Sequence, residues 1–268
     1  MKDGTYIHGY SLVESQRLSD QAKTLNHLLH HDSVFNPAGL VLEAGCGTGA
    51  QTVILAPQNP DCNFVSIDIV EDSLAKAEKS IKKNNIRNVR FHVADVFDLP
   101  FENSSFDHII ACFLLEHFRE PMGALASLKR VLKKDGTITV IEGDHGSAFY
   151  HPRSAAAQAT VQCLIDVQAL LGGNSLIGRE LYFLLVSAGF EGVSVSPRVV
   201  YADANRPELV EGFTRKTFIA MVEGVREQAI DRRLITEARW RKGIADLYRS
   251  ADADGTFCYT FFKAVGKK

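Results

Sequence analysis

Long apolar runs are missing from this chain. No stretch of about 18 consecutive apolar residues occurs among its 268, so no membrane-spanning helix is expected. The opening Met1-Lys2-Asp3-Gly4-Thr5-Tyr6 also lacks the apolar stretch of an export signal. An excess of either charge is missing too: 30 Lys and Arg stand against 32 Asp and Glu, a formal net charge of −2. That balance leaves no electrostatic footprint for a polyanion, so nucleic acid is not an expected partner. Cysteine is sparse, and the five residues (Cys46, Cys62, Cys112, Cys163, Cys258) are scattered and odd in number. No pair has the close spacing of a redox CxxC or of a zinc site. Free thiols in a reducing cytosol, with no structural metal, are the expectation. Repeats and low-complexity tracts are absent as well.

What remains is ordinary globular material, 46% hydrophobic and 23% charged, enough for one substantial core or a core with a smaller cap. A helical pattern runs through Leu12, Leu18, Ala22, Leu25 and Leu28-Leu29. Pro37-Ala38-Gly39 then breaks the chain before Leu40-Val41-Leu42-Glu43-Ala44, a run apolar on both faces as a central parallel strand requires. Strands at 64–68, 89–93, 106–112 and 137–142 alternate with helices from about Gly49, at 71–84 and at 121–132. This rhythm predicts a parallel sheet covered by helices on both faces. Beyond Glu142 the rhythm changes: helices at 155–171 and 176–188, a strand near 193–200, helices at 207–227 and 235–248, and an aromatic strand at 256–264. Some fifty residues between the last two strands are too many for a loop, so a helical cap over the active site is expected there.

Glycines 45, 47 and 49 follow a buried strand and precede a helix, where the missing Cβ lets the backbone turn sharply and approach a ligand. Their spacing is G-x-G-x-G, whereas the dinucleotide fingerprint is G-x-G-x-x-G. Glu43, just before the turn, repels a pyrophosphate but suits a ligand carrying an ammonium and a sulfonium. Asp68 ends the second strand, where an acid can accept both hydroxyls of a ribose, or cap the helix that follows. Asp95 ends the third, where it can take an adenine amino group while Val96 packs on the ring, or simply form a turn. Carboxyl ends of consecutive parallel strands are where an open α/β sheet binds its ligand.

Glu43-Ala44-Gly45-Cys46-Gly47-Thr48-Gly49, Asp68, Ala94-Asp95 and Phe113-Leu114-Leu115-Glu116-His117 together resemble the successive motifs of class I S-adenosylmethionine-dependent methyltransferases. The likeness is to the type related to ubiquinone/menaquinone methyltransferases and covers roughly residues 38 to 145. It implies an α/β fold with a Rossmann-like, seven-stranded, mostly parallel sheet whose final strand is antiparallel, and with a helical insertion near the C-terminus. A single domain is expected, with an N-terminal lid and helix at 1–35, a cofactor-binding core at 38–145 and the helical cap at 205–255. The resemblance also implies that Glu43, Gly45, Cys46, Gly47 and Gly49 hold the methionine end of S-adenosylmethionine. Asp68, with Ile69 beside it, takes the ribose and Asp95-Val96 the adenine. Cys112-Phe113 lie along the methionine, and His117 completes the set. Tyr6 and Tyr10, within Tyr6-x-His8-Gly9-Tyr10, are similar to the N-terminal lid of a subgroup.

The position after strand four reads Cys112-Phe113-Leu114-Leu115 rather than the D/N-P-P-Y of enzymes that methylate nucleobase or amide nitrogens, which argues for a small-molecule acceptor. Glu142-Gly143-Asp144-His145-Gly146-Ser147 is read as a polar loop after strand five, opening toward the acceptor. Glu142 and His145 are the candidate catalytic residues, with His145 as base because imidazole titrates near neutral pH. Glu142, Asp144 and His145 are metal ligands by type, but with no second cluster of matching spacing no metal is expected. Arg198, Arg215 and Lys216 are either contacts to an anionic substrate or solvated charges. A non-catalytic S-adenosylmethionine-binding regulator and a NAD-dependent oxidoreductase are the rival readings.

Overall fold

In the computed structural model residues 12–268 are described, with side chains from residue 16 onward. Helix α1 (Leu12–His30) leads into strand β1 (Leu40–Ala44), followed by α2 (Thr52–Gln58), β2 (Asn63–Asp68), α3 (Glu71–Lys83), β3 (Val89–Val93) and β4 (Phe106–Cys112). A 3-10 turn at Leu115–His117 and α4 (Pro121–Val131) come before the long β5 (Leu132–His151) and α5 (Ala155–Leu170). The chain continues through a 3-10 turn at Ile177–Glu180, α6 (Leu181–Ser187) and β6 (Glu191–Ala202). A helical run of α7 (Pro207–Leu209), a π-type segment (Val210–Ile219) and α8 (Ala220–Gly224) follows, then α9 (Arg226–Asp231), α10 (Glu237–Arg249) and β7 (Thr256–Lys267).

The seven strands form one sheet in the order β3-β2-β1-β4-β5-β7-β6. The pairs β1–β2, β1–β4, β2–β3 and β4–β5 are parallel. Lys268, just past β7, exchanges hydrogen bonds with Asp135 and Gly136 near the start of β5, whereas Thr260 bonds Ser147 near the end of β5. β7 therefore runs antiparallel to β5, and the sheet is mixed as expected. β1 occupies the centre because Val41, Leu42 and Ala44 have almost no exposed surface and can be buried on both faces. One face carries Leu42, Ile109, Ile138 and Val140 against Leu125, Leu128, Leu181 and Leu185. The other packs Val41, Phe64 and Ile110 on Leu55 and Ala56.

Two compact units divide the chain. One comprises Leu29–Glu142, Ile177–Pro197 and Phe262–Lys268, and holds the sheet's parallel core. The other comprises residues 12–28, Gly143–Leu176 and Arg198–Phe261. In this second unit α5 packs on α10, and Gly243 of α10 comes so close to Thr160 and the Ala156 carbonyl that no Cβ would fit there. The expected insertion at residues 205–255 is helical and belongs wholly to this unit.

Residues 142–147, expected as a loop after a strand ending at Glu142, are instead part of β5, which runs unbroken to His151. Gly143 and Gly146 suggested a loop locally. In the strand a Cβ on Gly143 would collide with the Tyr259 hydroxyl, so the glycine marks close approach between neighbouring strands. The helix expected from 176 is a 3-10 turn continued by α6, and the helix expected over 207–227 contains the π-type segment.

Candidate functional site

The turn after β1 is built from three left-handed glycines, Gly45 (φ 72°), Gly47 (φ 52°) and Gly49 (φ 78°). Two are required by packing. A Cβ at Gly45 would come within 2.6 Å of Leu114, and one at Gly49 within 3.0 Å of Ala77 on α3. Gly47 differs, because a Cβ there would meet nothing within 4 Å among the described residues. Its backbone borders open space.

Glu43 sits beneath this turn, 4% exposed. Its Oε2 accepts hydrogen bonds from Thr52 Oγ1 at 2.7 Å and Ser66 Oγ at 2.6 Å. Burial pushes its carboxyl above the ordinary range, the two hydroxyls pull it back, and the Asp68 charge pushes it further up. Among the described residues neither lysine nor arginine pairs with it. Asp68, across from Val93 at the end of β2, is pinned by two backbone donors. Gly47 N–H donates to Oδ2 at 2.8 Å and Val70 N–H to Oδ1 at 2.9 Å. Burial raises its carboxyl, against the pull of the Val70, Gly47 and Ile69 amides and the His117 ring. Ile69 beside it is 60% exposed, an apolar face without cover. Asp95 accepts from Phe97 N–H at 2.9 Å, so it does form a turn; Val96 is buried.

Cys112 ends β4, and burial drives its thiol up, with Glu43 and Glu142 adding negative potential on either side. The next residue, Phe113, holds φ at 56°, unusual for a bulky side chain. Glu142 of β5 keeps that turn in place: its Oε1 accepts from Leu114 N–H at 2.9 Å and Leu115 N–H at 2.7 Å, with a further bond from Glu116 N–H. Its Oε2 is buried without a hydrogen-bond partner among the described residues. Burial, reinforced by Glu116, pushes the Glu142 carboxyl well above the ordinary range. Cys46 is likewise buried and its thiol raised by that burial. His117 faces Glu116 at 3.9 Å.

Glu43, the glycine turn, Asp68, Asp95, Cys112 and Phe113 thus gather at the carboxyl ends of four adjacent strands, β3-β2-β1-β4, and Glu142 joins them from within β5, just past the stretch paired with β4. Glu43 and Asp68 lie near enough to repel each other beside the turn whose Gly47 borders open space, and no protein cation among the described residues faces Glu43. Such a donor set suits a ligand that brings its own positive charge. Tyr6 and Tyr10 lie outside the described residues.

Asp144 and His145 belong to the other unit. Both are buried: Asp144 accepts from Gly146 N–H at 3.0 Å, and His145 Nδ1 lies 2.8 Å from the Tyr259 hydroxyl. The imidazole stands edge-on to Phe218, within an aromatic cluster that includes Phe213, Tyr259 and Phe261. Arg198 donates to the Leu28 carbonyl, and Arg215 and Lys216 pair with Glu211. Thr52 and Ser66, which hold Glu43, escape sequence reasoning because isolated hydroxyls carry no pattern.

A family model described as a methyltransferase domain matches residues 36–185, more than half of the chain. The chain belongs to the methyltransferase domain family. It is an S-adenosylmethionine-dependent methyltransferase of class I, as the motifs at the strand ends imply. An uncharacterized methyltransferase of Schizosaccharomyces pombe is 27% identical over 239 residues, covering 85% of this chain and 84% of the relative. A 27-O-demethylrifamycin SV methyltransferase of Amycolatopsis mediterranei is 26% identical over 225 residues, 83% of this methyltransferase and 76% of that one. Among solved structures, the YcgJ protein of Bacillus subtilis superposes with a TM-score of 0.59 at 16% identity, covering 92% and 98% of the two chains. That likeness bears on the fold.

Proposed function

We propose that this methyltransferase binds S-adenosylmethionine at the strand ends of its parallel core and methylates a small molecule. The observation that carries the reading is Glu43, a buried carboxyl that pairs with no cation among the described residues, beneath a turn whose central glycine borders open space. Glu43 and the turn would hold the methionine end, Cys46, Cys112, Phe113 and His117 would line it, Asp68 would take the ribose, and Ile69, Asp95 and Val96 the adenine. When bound, the cofactor supplies an electrophilic methyl group on a sulfonium. The chain's own part is to fix these acceptors in advance: Thr52 and Ser66 orient Glu43, and two backbone amides orient Asp68. A small acceptor is supported by the near-neutral charge of the chain and by the rifamycin-type relative, whose name gives a small molecule as its substrate.

Titration calorimetry with S-adenosylhomocysteine tests the site. Wild type should bind, and Gly47→Ala should bind at least tenfold more weakly, because its methyl enters the open space beside the turn. Its left-handed backbone should cost only about 1–2 kcal/mol of stability. Equal binding would place the ligand elsewhere. For the acceptor, methyl-tritiated cofactor is incubated with a cell extract and the product ultrafiltered. A labelled filtrate species that separates chromatographically from the unreacted cofactor and is absent without the enzyme is expected; label retained on protein or nucleic acid only when the enzyme is added would refute the acceptor class.

A further inference from the structure

A chain of polar side chains leads from β7 to the start of α2. Lys263 is 4% exposed, and a buried ammonium must satisfy all three of its N–H donors. They go to Asp32 Oδ1 at 2.6 Å, Ser33 Oγ at 2.8 Å and the Leu29 carbonyl at 3.3 Å. Ser33 Oγ therefore receives a hydrogen from Lys263 and keeps its own to give. His30 Nδ1 lies 3.1 Å away. An Nδ1 that accepts leaves the imidazole proton on Nε2, which sits 2.8 Å from Gln51 Oε1 and donates to it. His30 is 1% exposed and Ser33 3%, so water offers no substitute partner. These links then all run in one direction, from Lys263 through Ser33 and His30 to the Gln51 carbonyl.

The consequence falls on Gln51, two residues beyond Gly49 and directly ahead of α2. With its oxygen committed to His30, the amide turns its nitrogen the other way. Among the described residues that nitrogen has no acceptor, and Gln51 is only partly buried. We propose that Lys263, Ser33 and His30 form a relay that orients Gln51, so that its amide nitrogen donates to the carboxylate at the amino-acid end of the cofactor. Gln51 is then a binding residue and His30 a positioning residue. The inference rests on the cofactor reading above and adds a contact to it.

Calorimetry with two ligands separates the claims. S-adenosylhomocysteine carries the carboxylate, and 5′-methylthioadenosine lacks the whole amino-acid end. Wild type binding neither would sink the cofactor reading itself. If wild type binds both, Gln51→Ala and Ser33→Ala should weaken S-adenosylhomocysteine five- to twentyfold and leave methylthioadenosine within twofold. Ser33→Thr, which restores the hydroxyl, should recover most of the loss. Unchanged S-adenosylhomocysteine binding in Gln51→Ala, or equal losses for both ligands, overturns the relay's role. Nitrogen-15 NMR of wild type supplies a readout independent of binding: His30 should be the Nε2–H tautomer. An Nδ1–H tautomer reverses the direction of the chain and refutes it.

Discussion

Glu142→Gln should flatten the dependence of stability on pH. Glu142 has no exposed surface; its Oε1 accepts from two backbone N–H groups, and its Oε2 is buried without a hydrogen-bond partner among the described residues. Burial raises its carboxyl well above the ordinary value of 4.5, Glu116 adds to the rise, and the N–H donors oppose it. An acid raised in the folded state binds its proton more tightly there than in the unfolded chain. Its contribution to stability is complete below 4.5 and is lost as pH climbs through the folded value, with a slope of about 1.4 kcal/mol per pH unit for one proton. Glu43 and Asp68, both raised first by burial, slope the same way. His108, lowered by burial, slopes oppositely, but only up to the ordinary imidazole value of 6.5. Above the ordinary imidazole value of 6.5 the raised acids set the trend, and wild type should lose stability as pH rises until they have ionised. The amide introduced by Glu142→Gln keeps a carbonyl for the backbone donors and has no proton to lose. Urea titrations across pH 5.5 to 8 should give a profile flatter than wild type by up to about 1.4 kcal/mol per unit. Glu142→Ala should instead lose about 1–3 kcal/mol at every pH, because the donors lose their acceptor. Parallel profiles for wild type and Glu142→Gln would refute the reasoning and make Glu142 an anion held by its amides.

The parallel core was legible because each of its strands is a short apolar run bounded by turn residues. β1 and β4 begin and end where the pattern says, since burial on both faces leaves no ambiguity of phase; β3 matches its expected bounds too, although it lies at the sheet's edge with no buried residue. β5 was not legible beyond Glu142. Its continuation depends on β7, more than a hundred residues away, and Gly143, which looks like part of a loop, admits Tyr259. The π-type segment Val210–Ile219 was hidden for a related reason: a helical pattern does not reveal whether bonds close at four residues or five. At the site, the acids could be found because strand ends are special positions in an open sheet. Their supports could not. Thr52 and Ser66 converge on Glu43 from a helix and a neighbouring strand, and Lys263 reaches Ser33 across 230 residues. Such partners are set by sheet order, which one sequence does not display.

Two further outcomes follow from hydrogen bonds already described. Asn has one acceptor oxygen where Asp has two, so Asp68→Asn should keep the bond from Val70 N–H and lose the tether to Gly47. It should cost about 1–2 kcal/mol in urea melts and weaken S-adenosylhomocysteine at least tenfold by calorimetry, with Asp68→Ala losing more on both counts; wild-type affinity in Asp68→Asn would remove Asp68 from the site. The remaining case is His145, expected from sequence to be a base on a polar loop and found inside an aromatic cluster on a continuous strand. Its Nδ1 contact with Tyr259 should be worth about 1 kcal/mol, which Tyr259→Phe should remove. His145→Phe should melt earlier still, because a ring without polar edges must sit against the Tyr259 hydroxyl. Stability alone does not separate packing from catalysis, so the rate must be followed against pH once an acceptor is in hand. A packed His145 predicts that Tyr259→Phe and His145→Gln keep the acidic limb of the rate profile and change turnover only a few-fold. A base predicts a loss of about 10² to 10⁴ in turnover and no acidic limb in His145→Gln. The burial of His145 favours the first outcome, and the second, in a variant that remains folded, would return the residue to catalysis.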